Sequence, residues 1–311
     1  MMDTATLSAA AAAVGGLRGV IEALPAAGGV LGVVVDTAGS TYRKRGALLL
    51  RGTTNIGWLS GGCLEPEFER AASDAAETGR ARLVAFNTAV DEDLVFGSAS
   101  GCRGLVRVLL LPLDAVAPLR EAVHALADAT TPLTLVLRAD GAGTARLGEQ
   151  LRSWPASAAG TDRGETWNVT IASPPRLLLL GTGPEAAPLI DFARRLGWYV
   201  DAVEHRGRWA LHADAADRRI DAPPARAWSM LMPSRYSAAL VIGHHFGNDL
   251  EHLRQLAQSS VRYIGLLGPP ARRDALLAEL GGLAVALRPR LHAPLGLRLG
   301  GEGPEAIALA I

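Results

Sequence analysis

The stretch Leu177-Leu-Leu-Leu-Gly-Thr-Gly-Pro-Glu-Ala186 decides the fold of the second half of the chain. An apolar run typical of a buried strand ends at Gly181, and a run with the apolar periodicity of a helix follows it. The spacing Gly-x-Gly-x-x-Ala is typical of a dinucleotide-binding turn, in which Gly181 permits the turn and Gly183 lets a pyrophosphate approach the backbone. Free N–H groups at the start of the helix would bind that anion.

An acidic residue follows the next predicted strand, Trp198–Val203. Glu204 comes about 20 residues after Gly183, where this type of fold carries the carboxylate that binds a ribose hydroxyl. Arg206 and Arg208 lie just beyond and could instead accept the 2′-phosphate of NADP, so the choice between NAD and NADP stays open. A further alternative is that Glu204 is a surface carboxylate, the glycines only form a turn, and no dinucleotide binds.

Predicted strands and helices alternate throughout the second half of the chain. This alternation predicts a Rossmann-type, doubly wound α/β domain with a parallel sheet over residues 174–311. The predicted strands besides Trp198–Val203 are Arg176–Leu180, Ala238–Gly243 and Tyr263–Leu267, and the predicted helices are Pro184–Leu196, Asp249–Gln258 and Pro270–Leu280.

The first half mixes strands and helices without that regular alternation, which predicts a separate α/β (α+β) domain over residues 1–139. Residues 140–173 are rich in Gly, Ala and Ser and have little periodicity, so we interpret them as a variable connection between the domains. The predicted strands of the first domain are Val30–Asp36, Ala47–Leu50, Leu105–Leu111 and Leu133–Arg138, and its predicted helices are Ala5–Leu24, Leu64–Thr78 (ended by Gly79) and Asp114–Ala129.

Composition excludes several classes of protein. The 311 residues include 31 basic and 31 acidic side chains, and this balance argues against a nucleic-acid-binding protein. The N-terminus has no basic signal-peptide region and no apolar run is long enough for a bilayer, so we expect a cytoplasmic chain without stable membrane insertion. The 2 cysteines exclude a disulfide framework and cannot form a zinc site alone, and the sequence assigns no set of metal-ligating residues.

A cation-rich loop lies between the first two predicted strands. The run Ala38–Ala47 places Arg43, Lys44 and Arg45 between two glycines, with Ser40 and Thr41 before them. The flanking strands would project this loop from the end of a sheet, where binding loops gather. We therefore expect Ser40, Arg43 and Arg45 to bind a phosphate; the alternative is an ordinary solvated surface.

A second loop, Gly57–Pro66, carries one of the cysteines. Gly61 and Gly62 would leave backbone N–H groups exposed, and the start of a helix just after Cys63 would stabilise its thiolate. Cys63 is therefore a candidate for metal or sulfur chemistry. Glu65 would be a first-turn carboxylate, which the helix dipole favours for structural reasons alone.

The other cysteine, Cys102, is framed by glycines in Gly97–Gly104 and lies beside the cation Arg103. The alternative for both cysteines is an inert buried thiol, a common state of this residue.

Three histidines follow predicted strands of the second domain. His205 comes after Glu204, and His244 and His245 come after Ala238–Gly243. In a doubly wound sheet both places lie at the carboxyl edge, where ligands bind. The convergence of Gly181, Glu204 and His244 on that edge favours His244 as a base or ligand; local structural hydrogen bonding is the alternative for each histidine.

Taken together, these motifs resemble the xanthine dehydrogenase accessory family (XdhC/CoxI), over nearly the whole chain. The chain departs from the family at Gly243–Asp249, where His244 and Asp249 carry over but the central acid and second histidine are absent. The ordered motifs that carry the resemblance are Gly39-Ser40 with Arg43–Gly46, Ser60–Glu65, Asp93–Gly97 leading into Gly101-Cys102, Gly181–Gly183, His244–Asp249, Tyr263–Gly268, His292–Leu297 and Gly303 to the C-terminal region.

The resemblance implies a chaperone that binds molybdenum cofactor (molybdopterin), protects it, assists its sulfuration by a cysteine desulfurase, and delivers it to an apo-subunit of a xanthine dehydrogenase or CO dehydrogenase type molybdoenzyme. It also implies a homodimer. The alternatives are an NAD(P)-dependent oxidoreductase of unknown substrate, although the sequence offers no convincing hydride-transfer acid, and a pure scaffold. The candidate residues are Cys63, Cys102 and His244 for chemistry, and Ser40, Arg43, Arg45, Gly61, Gly62, Glu65, Arg103, Gly181, Gly183, Glu204, Arg206 and Asp249 for cofactor binding.

Overall fold

The first part of the chain folds into two antiparallel sheets in a computed structural model that describes residues 16–87, 104–157 and 164–311. The first sheet contains β1 (Gly29–Gly39), β2 (Leu48–Gly52), β3 (Arg82–Asn87) and β4 (Gly104–Pro112), in the order β2-β1-β4-β3. The second contains β5 (Leu133–Arg138), β6 (Gly143–Leu147), β7 (Gln150–Trp154) and β8 (Thr166–Ile171), in the order β7-β6-β5-β8.

Helices cover these sheets because alternate residues of β1 are apolar on both faces. Leu31 and Val33 share a core with the second sheet and with helices α1 (Gly16–Ala23) and α3 (Ala117–Ala125). Val34 faces the opposite side, against Phe68 of helix α2 (Glu65–Thr78). Helix α2 ends at Gly79, whose φ of 64° is the left-handed conformation that glycine adopts readily.

Residues 140–173 are not the irregular connection that the sequence analysis predicts. They contain β6, β7 and β8, and the contacts within the chain divide it between Pro174 and Pro175, so these strands belong to the first unit. The buried positions of β8 alternate strictly, with Trp167, Val169 and Ile171 facing the core. The short strands and small polar residues conceal this period of two.

One helix of the first unit is shorter than predicted, and another is described only in part. The region Asp114–Ala129 holds a 3-10 turn at Leu113–Ala115 and then α3, with a proline in its first turn. Of the predicted helix Ala5–Leu24, only the part from residue 16 lies among the described residues, where α1 occupies Gly16–Ala23.

The second unit, from Pro175 onward, is built on a parallel sheet, which confirms the predicted Rossmann-type α/β fold. Its strands are β9 (Arg176–Leu180), β10 (Tyr199–Val203), β11 (Arg218–Ile220), β12 (Ala238–Val241), β13 (Tyr263–Leu266) and β14 (Leu291–His292), in the order β11-β10-β9-β12-β13-β14. Its helices are α4 (Ala186–Arg195), α5 (Gly207–Ala210), α6 (Pro224–Trp228), α7 (Phe246–Ala257), α8 (Pro270–Leu280), α9 (Ala284–Leu287) and α10 (Pro304–Ala310).

Strand β9 lies at the centre of this sheet and is covered on both faces. Leu178 and Leu180 contact one core and Leu177 and Leu179 the other, which explains the uninterrupted apolar run in the sequence. The chain runs outward from β9 to β10 on one side and continues at β12 on the other. The carboxyl ends of β9 and β12 therefore form the point where the strand order reverses, the usual ligand crevice of such sheets.

Candidate functional site

The Cys63 loop, residues 57–64, is organised from inside by a buried carboxylate. Glu65 Oε1 accepts hydrogen bonds from the N–H groups of Leu59 (2.7 Å) and Ser60 (3.0 Å), and Oε2 accepts one from the Ser60 hydroxyl. Burial by itself would raise the pKa of Glu65, but these hydrogen bonds outweigh it and hold the pKa below its usual value. The Glu65 carboxylate, which the sequence analysis assigns to cofactor binding, therefore makes its hydrogen bonds to the loop itself.

Ser60 links the rest of the Cys63 loop to this carboxylate. Its hydroxyl oxygen accepts hydrogen bonds from the N–H groups of Gly62 and Leu64, each at 3.1 Å, and lies 3.6 Å from Cys63 Sγ. The N–H of Gly62 is therefore committed to the loop, and not free for a ligand as the sequence analysis expects. Gly61, Gly62 and Cys63 are themselves exposed. The loop holds an exposed thiol on an ordered backbone.

The basic loop, residues 40–47, is tied to the Cys63 loop through Arg43. Arg43 Nε donates to the carbonyl oxygen of Trp58, and the guanidinium carbon lies 5.5 Å from the centre of the Tyr42 ring. Tyr42 and Trp58 are 63% and 60% exposed, which is unusual for large aromatic side chains. The structure therefore brings a cation and two exposed rings to the loop that carries Cys63.

The other predicted residues of the first unit are placed differently. Arg45 donates to the carbonyl oxygen of Asn168 in β8, so its guanidinium ties the loop to the second sheet. Ser40 is exposed after the end of β1. Cys102 and Arg103 lie outside the described residues, and their predicted roles stay predictions.

In the second unit, the loops after β9 and β12 touch backbone to backbone. Gly181 has a φ of 77°, and a Cβ on it would lie 2.3 Å from the Cα of Gly243. Only glycine meets both demands at this position. The predicted tight turn at Gly181 is confirmed, and its close neighbour is the loop that carries His244.

Glu204 is buried, with 1% of its surface exposed, and is not the surface carboxylate of the alternative interpretation. It accepts hydrogen bonds from Arg206 Nε (2.9 Å) and Nη2 (2.6 Å), and from the N–H of Thr182 (2.9 Å). Burial would raise the pKa of Glu204, but the hydrogen bonds from Arg206 and Thr182 lower it to about 2. Arg206 also donates to the carbonyl of Gly243 at 2.9 Å, so the pair fastens the two loops together.

A carboxylate that the sequence analysis does not single out, Glu185, lies on the glycine loop. Only 3% of Glu185 is exposed, and its Oε1 lies 3.1 Å from His244 Nε2. The hydrogen bond to Glu185 raises the pKa of His244, although burial opposes it. His244 has a φ of 52°, a left-handed conformation that is uncommon for a residue with a side chain and costs free energy.

A second ion pair lies beside His244. Asp249 Oδ2 accepts from Arg272 Nη2 at 2.7 Å, while Asp249 Oδ1 and Arg272 Nε are among the buried atoms without a partner in the described residues. Burial raises the pKa of Asp249, against the influence of Arg272. His245 serves a structural role, since its Nδ1 accepts from the N–H of Asn248 at the start of α7.

Matches to family models extend over both units. Residues 26–87 match the model of the XdhC and CoxI family, and residues 177–311 match the model described as the XdhC Rossmann domain. The chain belongs to the XdhC and CoxI family. This confirms the resemblance seen in the ordered motifs, and membership of the family points to a role in the maturation of xanthine dehydrogenase.

Two relatives of this XdhC-family chain align with nearly all of it, and a third aligns with half. A Bacillus subtilis (strain 168) protein, named as a probable subunit of xanthine dehydrogenase, is 29% identical over 309 residues, covering 91% of this chain and 90% of its own length. A crystal structure described as a xanthine dehydrogenase from Bacillus halodurans superposes with a TM-score of 0.76 at 27% identity, covering 94% of this chain and 93% of that one. YqeB of Escherichia coli (strain K12) is 26% identical over 172 residues, which are 50% of this chain and 30% of YqeB.

In the Rossmann unit of this family member, the side chains near the predicted dinucleotide turn are engaged in contacts within the protein. The carboxylate of Glu185 occupies the space beside Gly183 that a pyrophosphate needs, and both oxygens of Glu204 already have donors. Arg206 is folded onto Glu204 and Gly243.

The described parts of the chain contain neither a metal-binding cluster nor a membrane-spanning helix. Within residues 16–87, 104–157 and 164–311, no group of three or more His, Cys, Asp or Glu side chains is arranged to hold a metal ion. Among the same residues, no helix has both the length and the hydropathy to cross a bilayer.

Sequence reasoning missed three residues that shape these loops: Ser60, Glu185 and Arg272. Ser60 and Glu185 each lie within two residues of a glycine at the turn, which is the local signal that could have found them. Arg272 has no local signal, because its partner Asp249 is on another helix.

Proposed function

We propose that this chain is a molybdenum cofactor-binding maturation factor, which protects the cofactor, assists its sulfuration, and delivers it to a molybdoenzyme of the xanthine dehydrogenase or CO dehydrogenase type. The observation that carries the proposal is the exposed Cys63 thiol on a loop ordered by Glu65 and Ser60 and tied to Arg43. Family membership supports the client class.

The residues around Cys63 have the chemistry that this cofactor requires. A thiolate is a soft ligand suited to a molybdenum–sulfur centre, and a guanidinium recognises phosphate through directed hydrogen bonds. Arg43 uses Nε on the Trp58 carbonyl, which leaves its two terminal nitrogens to face a phosphate. The exposed rings of Trp58 and Tyr42 offer flat surfaces on which a pterin can stack.

Each residue has a separate role in this proposal. Cys63 would hold the metal end of the cofactor, Arg43 its phosphate, and Trp58 the pterin. The bound cofactor supplies the redox-active molybdenum and its sulfur ligands, whereas the chain binds, orients and shields it. Glu65 and Ser60 keep the loop in place before the cofactor arrives, which reduces the entropy that binding must overcome.

Binding of isolated molybdopterin under anaerobic conditions tests the thiol assignment. We expect Cys63→Ala to weaken binding by about tenfold to a hundredfold, the usual cost of losing a metal-site group. Arg43→Ala should weaken it less, because the ring and thiol contacts remain. Ser73→Ala, at an exposed position on α2, is the matched control and should bind as the wild type does. Wild-type affinity in Cys63→Ala would remove Cys63 from the proposal.

The partners are tested by reconstitution. The cofactor-loaded chain, mixed with apo-xanthine dehydrogenase and a cysteine desulfurase, should restore more activity than free cofactor at the same concentration. Equal recovery from free cofactor would contradict delivery, and recovery that does not depend on the desulfurase would contradict assisted sulfuration. Sedimentation of the full chain tests the proposed homodimer, which a monomer at all concentrations would contradict.

A further inference from the structure

The glycine turn of the Rossmann unit already contains an acidic side chain of the protein itself, the carboxylate of Glu185. A Cβ built on Gly183 would lie 2.6 Å from Glu185 Oε1 and 2.9 Å from Oε2. In dinucleotide-binding turns this side of the second glycine is left free so that a pyrophosphate can reach the backbone. In this chain the Glu185 carboxylate lies there instead, before the first turn of α4.

The Glu185 carboxylate is held in place by a residue of the loop that follows β12. Glu185 is 3% exposed, and His244 Nε2 lies 3.1 Å from its Oε1. His244 reaches this position with a left-handed backbone, which costs free energy that its contacts must offset. The close approach of Gly181 to Gly243 fixes the distance between the two loops.

The surroundings retain unused polar capacity. Asp249 is 1% exposed and its Oδ1 has no partner among the described residues, while lying 2.9 Å from the Cβ position of Gly243. Arg272 Nε, on the residue paired with Asp249, is also buried without a partner in the part of the chain that the structure describes. Buried polar atoms without partners, close to a carboxylate that is itself buried, are the features expected of a closed binding site.

We propose that Glu185 is an internal ligand that closes the phosphate site of the Rossmann unit. A phosphate or pyrophosphate group would overlap its oxygens and meet a like charge, so the site takes such a group only when the contact between Glu185 and His244 opens. The inference concerns the second unit and does not depend on the Cys63 site proposed above.

Calorimetric titration of the full chain with inorganic pyrophosphate and with NAD tests this proposal. The wild type should show no saturable binding up to millimolar concentrations. Glu185→Ala removes both bulk and charge and should raise the affinity for pyrophosphate by at least about tenfold. Glu185→Gln keeps the bulk and should gain less. Asp191→Ala, an exposed position on α4, is the matched control and should behave as the wild type.

Each result of the titrations either supports the proposal or contradicts it. Circular dichroism and the melting temperature establish that each variant is folded before titration. Tight binding of pyrophosphate or NAD by the wild type would overturn the proposal, and so would a folded Glu185→Ala that binds no better than the wild type. A gain with pyrophosphate but not NAD supports a closed phosphate site and assigns it to ligands other than NAD. None of these results depends on molybdopterin, so they leave the test of Cys63 separate.

Discussion

Two glycine loops, one in each unit, have similar sequences and opposite consequences. In both, glycines precede a helix and an acidic residue follows within three positions, as Glu65 and as Glu185. Glu65 accepts hydrogen bonds from the inner side of its loop and leaves Cys63 exposed. Glu185 is buried beside Gly183, with its oxygens 2.6 and 2.9 Å from where a Cβ of Gly183 would lie. The side of the loop on which the carboxylate lies therefore decides whether the loop is available to a ligand.

The largest expected effect is on the free energy of unfolding, which depends on how closely the backbone of each loop is packed. Gly181→Ala places a Cβ 2.3 Å from Gly243 at a positive φ, and we expect it to lower the free energy of unfolding by about 3 kcal/mol or more. Gly61→Ala meets open space and should change stability by less than about 1 kcal/mol. Chemical denaturation measures both. Equal losses would show that the loops do not differ in packing.

The second prediction concerns Glu65, the buried carboxylate of the Cys63 loop. Glu65→Ala leaves two buried N–H groups and the Ser60 hydroxyl without their acceptor, and should cost roughly 2–4 kcal/mol in the free energy of unfolding. Glu67→Ala removes an exposed carboxylate from the same helical turn and serves as the control. If the two variants were equally stable, Glu65 would not organise the loop.

The third prediction is a difference in acid sensitivity. Burial lowers the pKa of His252 in α7 to about 4, so the stability it contributes is present above about 6.5 and is lost as pH falls towards 4. Glu204, with a pKa of about 2, contributes stability that is present above 4.5 and lost as pH falls towards 2. Each shift corresponds to roughly 3 kcal/mol in the limit. The carboxylate of the Cys63 loop, Glu65, also has a lowered pKa and should respond only below about 4.5.

Stability measured against pH in the wild type and in His252→Leu checks this assignment. The substitution removes the buried ring, whose Nδ1 has no partner among the described residues, and should flatten the curve between pH 6.5 and 4.5. The loss below pH 4.5 should persist. An unchanged upper part of the curve would exclude His252 as its cause.

The smallest expected effect is a change in one titration midpoint. The pKa of His244 should lie above 6.5, because Glu185 binds its charged form and Asp249 adds to this, although Arg272 and burial oppose it. Glu185→Gln should move the midpoint down towards 6.5, and Asp191→Asn should not move it. Nuclear magnetic resonance of the His244 ring measures the midpoint. If Glu185→Gln left the midpoint unchanged, Glu185 would not be the cause of the raised pKa of His244.

The local sequence pattern was sufficient for the central elements of the fold. The Leu177–Leu180 run, the turn at Gly181 and helix α8 follow from periodicity and glycine placement, and β5 and β9 occupy the predicted residues. Strands β6 to β8 were missed because their alternating buried residues are separated by Gly, Ala, Ser and charged residues typical of loops.

The side-chain arrangement of the sites was less predictable. The glycines before Cys63 single it out as a candidate, and the structure shows that its side chain is exposed. The position of Glu185 depends on His244, which is 59 residues away, and on the contact between Gly181 and Gly243. A sequence pattern with a period of a few residues carries no information on such contacts, so it indicated an open phosphate site.

Molybdopterin affinity, measured side by side for Cys63→Ala and Glu185→Ala, tests the contrast between the two loops most directly. If the loop ordered by Glu65 holds the cofactor and the loop covered by Glu185 does not, Cys63→Ala should lose at least about tenfold in affinity and Glu185→Ala should lose none. Unchanged affinity in Cys63→Ala together with reduced affinity in Glu185→Ala would place the cofactor in the Rossmann unit and contradict this account.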